Sequence, residues 1–142
     1  MNLIAMMPYG KDFLFVDEIL HVDESSIHGS YTFPADAAFY AHHFPQQPIT
    51  PGVFLIESAA QIGLVAFGIY LLNSTIKLNF SIAFTSSQVD FFRPVGQGEK
   101  IFIEAEKQYF RFQKLKVSFK IKNSSEELVA KGELSGMFQI KN

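Results

Sequence analysis

The stretch VFLIESAAQIGLVAFGIYLL, residues 53–72, decides the fold of this 142-residue chain. Its apolar side chains occupy the whole circumference of a helix, which predicts a helix that is buried on nearly all sides. We expect Thr50 to be the N-cap and Pro51 to occupy the first helical position. Asn73 and Ser74 are the predicted stop signal. The rest of the chain must therefore supply a surface that wraps this helix.

Three polar side chains within the helix argue against a membrane span, although about 20 residues would be long enough to cross a bilayer. Glu57, Ser58 and Gln61 would be costly in lipid, which offers them no partners. Glu57 and Gln61 are four residues apart, so they share one face of the helix. The sequence predicts a core helix with one polar stripe, and no membrane insertion.

Outside the helix, short runs rich in strand-forming residues alternate with polar turns. Strands are predicted at residues 13–16, 19–22, 26–33, 80–92, 100–110, 112–122 and 127–140, with turns at 94–98 and 123–125. Strands that follow one another without intervening helices form an antiparallel sheet. The predicted fold class is therefore α+β, with an antiparallel β-sheet wrapped around one long central helix in a single domain, residues 1–142.

Composition and missing motifs exclude several classes of protein. The absence of cysteine excludes disulfides, thiolate metal sites and a cysteine nucleophile. The histidines lack metal-binding spacing, and the phosphate-loop, dinucleotide and nucleophile-elbow motifs are missing, so we expect no metal and no cofactor. A net charge of -2 gives no reason to expect a nucleic-acid partner. Residues 1–10 do not resemble a secretory signal, and the expected location is cytoplasmic.

Two compositional features leave alternatives open. The chain has 16 Phe and 5 Tyr but no Trp, and these rings could fill the core, line a cavity or cover a subunit interface. Residues 107–122 carry six Lys or Arg side chains and no acid. This basic run is either a solvated strand face or a docking surface for an acidic partner.

Candidate chemistry lies in the loop before the helix, where three prolines in seven residues stiffen the chain. His43 is a candidate general base, and Glu57 is a candidate acid because apolar surroundings favour a protonated carboxyl group. Free backbone N–H groups at Gly52 and Val53 could hold a developing oxyanion. These are the parts of a reaction through an enolate. The alternative is a structural glutamate and a histidine without a chemical role.

The block HFP at residues 43–45, followed by PITPGVFLIESAAQ at residues 48–61, resembles the signature of FabZ-type 3-hydroxyacyl-[acyl-carrier-protein] dehydratases, G-H-F-P-G-x-P-x-M-P-G-V-x-x-x-E-x-x-A-Q. Residues 7–17 resemble the N-terminal L-P-H-x-x-P-F-L-x-V-D of that family, and residues 91–98 resemble its F-R-R-P-V-x-P-G-D. The similarity spans nearly the whole chain.

The resemblance implies a hotdog fold and a homodimer with active sites at the dimer interface. Larger assemblies of dimers, such as a trimer of dimers, are common in the family. Each site would take its His from one subunit and its Glu from the other. The implied reaction converts a 3-hydroxyacyl chain on acyl carrier protein to the trans-2-enoyl form, in fatty acid biosynthesis or a related pathway such as polyene pigment synthesis. Acyl carrier protein is acidic, which would give the basic run a use.

The resemblance also assigns roles to individual residues. His43 would remove the α-proton, and Glu57 would help to expel the β-hydroxyl group as water. The N–H of Gly52 would polarise the thioester carbonyl, and Gln61 would hold the Glu57 carboxylate. The implied substrate-binding residues are Phe44, Gly52, Val53 and Gln61.

Several positions depart from the family pattern. His42 and Gln46 replace glycines, Thr50 replaces a methionine, and Tyr9 replaces a histidine. Because glycine often marks a special backbone conformation, Gln46 predicts an altered loop. A divergent member that serves a specialised pathway would show such departures, and ordinary fatty acid synthesis stays an alternative. Two alternatives to the dehydratase remain. One is a hotdog acyl thioesterase, against which the retained histidine argues. The other is a non-catalytic acyl-binding or scaffold partner of an active dehydratase, which only the departures support.

Overall fold

The structure, a computed structural model, describes residues 2–72 and 79–141. A short helix, α1 (Leu3–Met6), precedes the central helix α2 (Gly52–Leu71). The six strands are β1 (Glu18–Val22), β2 (Ser26–Thr32), β3 (Asn79–Phe91), β4 (Lys100–Arg111), β5 (Lys114–Lys122) and β6 (Leu128–Lys141). Single 3-10 turns occupy Lys11–Phe13 and Ala38–Ala41.

All six strands form one antiparallel sheet with the order β1-β2-β4-β5-β6-β3. The middle of α2 contacts β2, β4, β5 and β6, so the sheet curves around the helix. On β5, Leu115, Val117 and Ile121 are completely buried while the intervening lysines lie on the outer face. The predicted α+β fold, a sheet wrapped around one long helix, is confirmed.

The central helix is a core element although it is long and apolar enough to cross a membrane. In its most apolar window, 72% of the residues are buried inside the protein. Its packing is close: a Cβ on Gly68 would collide with the ring of Phe138, which is itself 1% exposed. The buried surface of the helix is therefore covered by its own sheet.

The start of α2 differs from the prediction. Helical geometry begins at Gly52, and Pro51 is the N-cap. Thr50 does not cap the helix because its hydroxyl group is hydrogen-bonded to the hydroxyl group of Tyr40, at 2.6 Å. The predicted stop at Asn73 and Ser74 lies outside the described residues.

The middle of α2 has π-helical geometry over Gln61–Ala66, a widening of the helix that the sequence pattern did not predict. Turns of this kind are rare and occur frequently at functional sites. The widened segment begins at Gln61 and directly follows the turn that carries Glu57. The polar stripe predicted on this helix therefore coincides with its irregular part.

One predicted strand is absent and another begins later than predicted. Residues 13–16 form no strand, because Phe15 bonds to helix side chains: its N–H donates to Gln61 Oε1 at 2.7 Å, and its carbonyl accepts from Ser58 Oγ at 2.8 Å. The strand predicted at residues 112–122 begins at Lys114. Phe112 and Gln113 instead form a hairpin turn, with φ values of 52° and 61°.

Candidate active site

Gln61 fixes the position of Glu57 on the central helix. Glu57 is half-buried, whereas Gln61 is completely buried. Gln61 Nε2 donates to Glu57 Oε2 at 3.0 Å and to the Phe13 carbonyl at 3.0 Å, while Gln61 Oε1 accepts the N–H of Phe15. Every polar atom of the amide is thus engaged, and the carboxylate is tied to the N-terminal segment through it.

Glu57 lies on the wall of a cavity of about 200 Å³. The lining is mostly apolar and aromatic, and it combines the N-terminal segment, α2 and strand β3: Tyr9, Phe13, Glu57, Ala60, Leu64, Val65, Ile82 and Phe84. His43 is not among these residues. Within one chain, the cavity therefore contains the candidate acid without the candidate base.

Tyr9 is the second residue of this lining with a titratable side chain. Burial, followed by the nearby negative charge of Glu57, raises the pKa of Tyr9 to about 12. The phenol therefore keeps its proton at neutral pH and remains a hydrogen-bond donor. The sequence singled out Tyr9 only as a departure from the family pattern and gave it no place in the site.

His43 lies in the loop that follows the Ala38–Ala41 turn, and it is half-buried. Its Nδ1 lies 3.2 Å from the carbonyl oxygen of Ile49. A carbonyl only accepts hydrogen bonds, so Nδ1 must carry the proton, and Nε2 is left with the lone pair of a base. The ring stacks on Phe44 with centroids 4.4 Å apart, and Phe44 itself is 54% exposed.

The N-terminus of α2 offers unused donors beside this loop. The N–H groups of Gly52 and Val53 have no acceptor among residues 2–72 and 79–141. The ring of Phe91 covers Gly52 so closely that an added Cβ would lie 3.0 Å from it. The Thr50 N–H donates to the Val95 carbonyl at 2.7 Å, which ties the loop to the segment after β3. Free donors at a helix N-terminus favour a negatively charged or carbonyl oxygen.

The aromatic side chains occupy the core, the lining of a cavity and the exposed surface. Phe15, Phe33 and Phe67 lie in the core, and Phe13 and Phe84 line the Glu57 cavity. Several apolar side chains near the loop and along β3 are exposed: Phe44, Val53, Phe84, Phe91 and Phe92. A cluster of exposed large apolar groups is unusual for a surface that stays in water.

Acidic side chains from neighbouring strands partly neutralise the basic run at residues 107–122. Lys122 pairs with Glu104 at 2.9 Å, and Lys116 lies 3.9 Å from Glu133. Both acids come from neighbouring strands, β4 and β6. Arg111 and Lys114, at the hairpin between β4 and β5, have no ion pair within the described part of the chain. Phe112 between them is 90% exposed.

The described residues contain no group of three or more His, Asp or Glu side chains placed to hold a metal ion. His21 and His28, which the sequence placed on strands, lie on β1 and β2 with ring centroids 5.4 Å apart. His21 Nε2 lies 2.9 Å from Asp23, on an exposed surface.

A long core helix wrapped by an antiparallel sheet defines a protein of the hotdog fold. The dehydratase heterocomplex ApeI:P from Xenorhabdus doucetiae includes a chain of similar fold, with a TM-score of 0.78 at 14% identity; the match covers 100% of this chain and 92% of the other. The family model for ApeI-like proteins, described as ApeI dehydratase, matches residues 20–133.

FabZ 3-hydroxyacyl-[acyl-carrier-protein] dehydratases are also similar to this chain. The FabZ of Chlamydia muridarum is 32% identical over 134 residues, which cover 92% of this chain and 85% of the relative. That of Acinetobacter baylyi is 33% identical over 101 residues, which cover 70% and 68% of the two chains. The chain therefore belongs to the ApeI-like dehydratase family, related to FabZ.

Proposed function

We propose that this protein dehydrates a 3-hydroxyacyl chain carried by acyl carrier protein to the trans-2-enoyl form. The proposal rests on two side chains whose contacts suit acid–base chemistry. His43 has a basic nitrogen that is free of hydrogen bonds within the described part of the chain, and the carboxyl group of Glu57 is held by Gln61 at an apolar cavity. Family membership supports the same class of reaction. Elimination next to a thioester needs a base for the α-proton and an acid for the leaving oxygen.

In the proposed mechanism, His43 Nε2 removes a proton from C2 of the acyl chain. The electron pair moves toward the thioester oxygen, which the N–H groups of Gly52 and Val53 would stabilise. As the pair returns to form the C2=C3 double bond, the C3–O bond breaks and the carboxylic acid form of Glu57 supplies the proton that turns the departing hydroxide into water, leaving Glu57 as the carboxylate. The proton on His43 then leaves to solvent, and Glu57 regains one.

We propose that a second copy of the chain completes the site. The Glu57 cavity lacks His43, and Phe84 joins that cavity to strand β3, which forms one edge of the sheet. β3 is 13 residues long and pairs only with β6 among the described residues. Pairing of two β3 strands would cover the exposed Phe84 and Phe91, and would bring His43 of one chain toward Glu57 of the other.

The proposed setting is a cytoplasmic pathway of acyl chain synthesis, either for fatty acids or for a specialised chain such as a polyene pigment. The departures at His42 and Gln46, both exposed in the loop beside His43, support a specialised substrate. Acyl carrier protein would dock through the cations near the β4–β5 hairpin, Arg111 and Lys114, with Phe112 as an apolar contact.

The test is to incubate the purified protein with a trans-2-enoyl thioester and to follow the absorbance of the conjugated double bond together with release of free thiol. Loss of absorbance without thiol release is expected, and His43→Ala and Glu57→Gln should each abolish it. Thiol release would instead identify a thioesterase. A wild-type protein that hydrates no acyl length would favour the scaffold alternative, and full activity of either variant would refute the proposed site.

A further inference from the structure

Two polar groups face the same cavity without bonding to each other. Tyr9 and Glu57 both line the 200 Å³ space, and the charge of Glu57 acts on the phenol of Tyr9. Yet the Tyr9 hydroxyl group has no hydrogen-bond partner among the described residues, whereas the Glu57 carboxylate is engaged by Gln61. A water molecule occupies about 30 Å³, so the cavity that both groups line has room for an oxygen atom of a ligand.

The position of Tyr9 is fixed by the same contacts that fix Glu57. Its ring packs on Phe13, with centroids 6.1 Å apart, and the Phe13 carbonyl accepts the amide of Gln61. Ser58 holds the Phe15 carbonyl from the other side. The segment that carries Tyr9 is therefore bonded to the helix that carries Glu57, and both side chains belong to the lining of one cavity.

We propose that Tyr9 is a substrate-binding residue whose phenolic hydroxyl group donates a hydrogen bond to the oxygen on C3 of a 3-hydroxyacyl chain. This inference rests on the proposed dehydration and deepens it by naming the group that recognises the hydroxyl. The oxygen would sit between a donor, Tyr9, and the residue that gives it a proton, Glu57. As the C3–O bond breaks, negative charge grows on this oxygen, and the hydrogen bond strengthens.

The raised pKa of Tyr9 supports the role because the phenol remains protonated at every pH at which the protein would work. A phenolate could only accept, and it would repel the departing hydroxide. The structural alternative is that Tyr9 simply fills the wall with its ring. In that case removing the hydroxyl group would affect all acyl ligands alike.

The experiment compares two ligands that differ only in the C3 hydroxyl group: the N-acetylcysteamine thioesters of 3-hydroxyoctanoate and octanoate. Their dissociation constants are measured by calorimetry on the full chain with His43→Ala, so that the bound hydroxyacyl group stays intact. Tyr9→Phe is then added to this background. The matched control is Tyr109→Phe, which removes a phenol from β4 beside Arg111, at a ring-to-guanidinium distance of 4.5 Å and away from the cavity lining.

A neutral hydrogen bond to a ligand corresponds to about a threefold to tenfold change in affinity. We therefore expect Tyr9→Phe to reduce the preference for the hydroxylated thioester by about fivefold, without changing the affinity for octanoyl thioester. Tyr109→Phe should leave the ratio unchanged. Tyr9→His, which keeps a ring donor, should retain more of the preference than Tyr9→Phe. The midpoint of thermal unfolding should be the same for Tyr9→Phe and Tyr109→Phe as for the His43→Ala background, since neither hydroxyl group has a partner in the described protein.

An unchanged ratio in Tyr9→Phe would overturn the inference, as would binding of neither thioester or equal loss of affinity for both. Failure of the proposed function has a different signature. It would appear as absence of enoyl hydration by the wild type, while the binding ratio in the His43→Ala background still reports on Tyr9.

Discussion

Gln61 holds Glu57 through a 3.0 Å hydrogen bond between side chains one helical turn apart, and the same amide nitrogen reaches the Phe13 carbonyl. The amide thus connects the candidate acid to the N-terminal segment, which contributes Tyr9 and Phe13 to the lining of the same cavity. Replacing Gln61 tests both connections at once, because stability and turnover depend on different bonds of the one side chain.

Gln61→Met should lower both the free energy of unfolding and kcat. Methionine has a similar size but leaves the Phe15 N–H and the Phe13 carbonyl without partners, which costs about 2–4 kcal/mol. We expect kcat to fall by about tenfold beyond any loss of folded protein, since Glu57 loses its anchor. Urea unfolding and turnover of soluble thioesters measure the two effects. The control is Gln88→Met on the exposed face of β3, and equal kcat for the two variants would contradict the anchoring role.

A site shared between two chains predicts complementation. His43→Ala and Glu57→Gln homodimers should each be inactive, but mixing them under exchange conditions should restore about a quarter of wild-type activity, because half of the dimers are mixed and each has one intact site. Activity assays before and after subunit exchange measure this recovery. No recovery, when mass spectrometry shows mixed dimers, would place both residues of a site in one chain.

Charge reversal at the β4–β5 hairpin should weaken the use of carrier-bound substrate. Arg111→Glu together with Lys114→Glu is expected to raise KM for acyl carrier protein substrates by about tenfold and to leave small soluble thioesters unaffected. Lys116→Glu and Lys120→Glu should have smaller effects, because Lys116 lies near Glu133 and acids from other strands share that face. Steady-state kinetics with both substrate forms distinguish these cases, and an equal loss on both forms would reject docking at the hairpin.

The ion pair between Glu104 and Lys122 should make stability depend on acid pH. The hydrogen bond from Lys122 holds the pKa of Glu104 below its usual value of 4.5. Because the folded-state pKa is depressed, the charged form of Glu104 stabilises the folded protein at pH values above 4.5. This contribution is lost as the pH falls through the folded-state pKa. Glu104→Gln should therefore lower the free energy of unfolding by less than about 1 kcal/mol at neutral pH, because the pair is partly exposed. In strong acid the substitution should not change the free energy of unfolding.

Denaturant unfolding at neutral pH and in strong acid compares Glu104→Gln with the wild type, and Glu106→Gln, an exposed acid on the same strand, is the control. The difference between wild type and Glu104→Gln should shrink as the pH falls. A difference that stays constant into strong acid would show that the charge of Glu104 does not stabilise the fold.

The central helix and the sheet around it were predictable because their signals are local. A run of 20 residues with apolar side chains on every side can only be buried, and strict alternation along β5 specifies one buried face. The failures share a different cause. Residues 13–16 have strand-forming side chains, but Phe15 bonds to Gln61 and Ser58, more than 40 residues away. These tertiary hydrogen bonds outweigh the local preference of residues 13–16 for a strand.

In the candidate site, too, only the residues that lie close together in the sequence were predictable. The block containing His43 and Glu57 is contiguous, and the four-residue spacing of Glu57 and Gln61 already placed them on one face of the helix. Tyr9 was missed because its place beside Glu57 depends on how the N-terminal segment folds back on the helix. The cross-strand partners of Lys116 and Lys122 were invisible for the same reason, since a charge run in sequence does not reveal acids on neighbouring strands.

Strand β3 also determines how an isolated copy of the chain behaves, because it leaves one edge of the described sheet unpaired. Its 13 residues contain a single charge, Asp90, and neither lysine nor proline to discourage pairing with foreign strands. An isolated chain therefore exposes a template to which a foreign strand can add. Because aggregation through such an edge accelerates as the concentration of chains rises, the rate of synthesis becomes part of the conditions under which this sequence stays correctly paired.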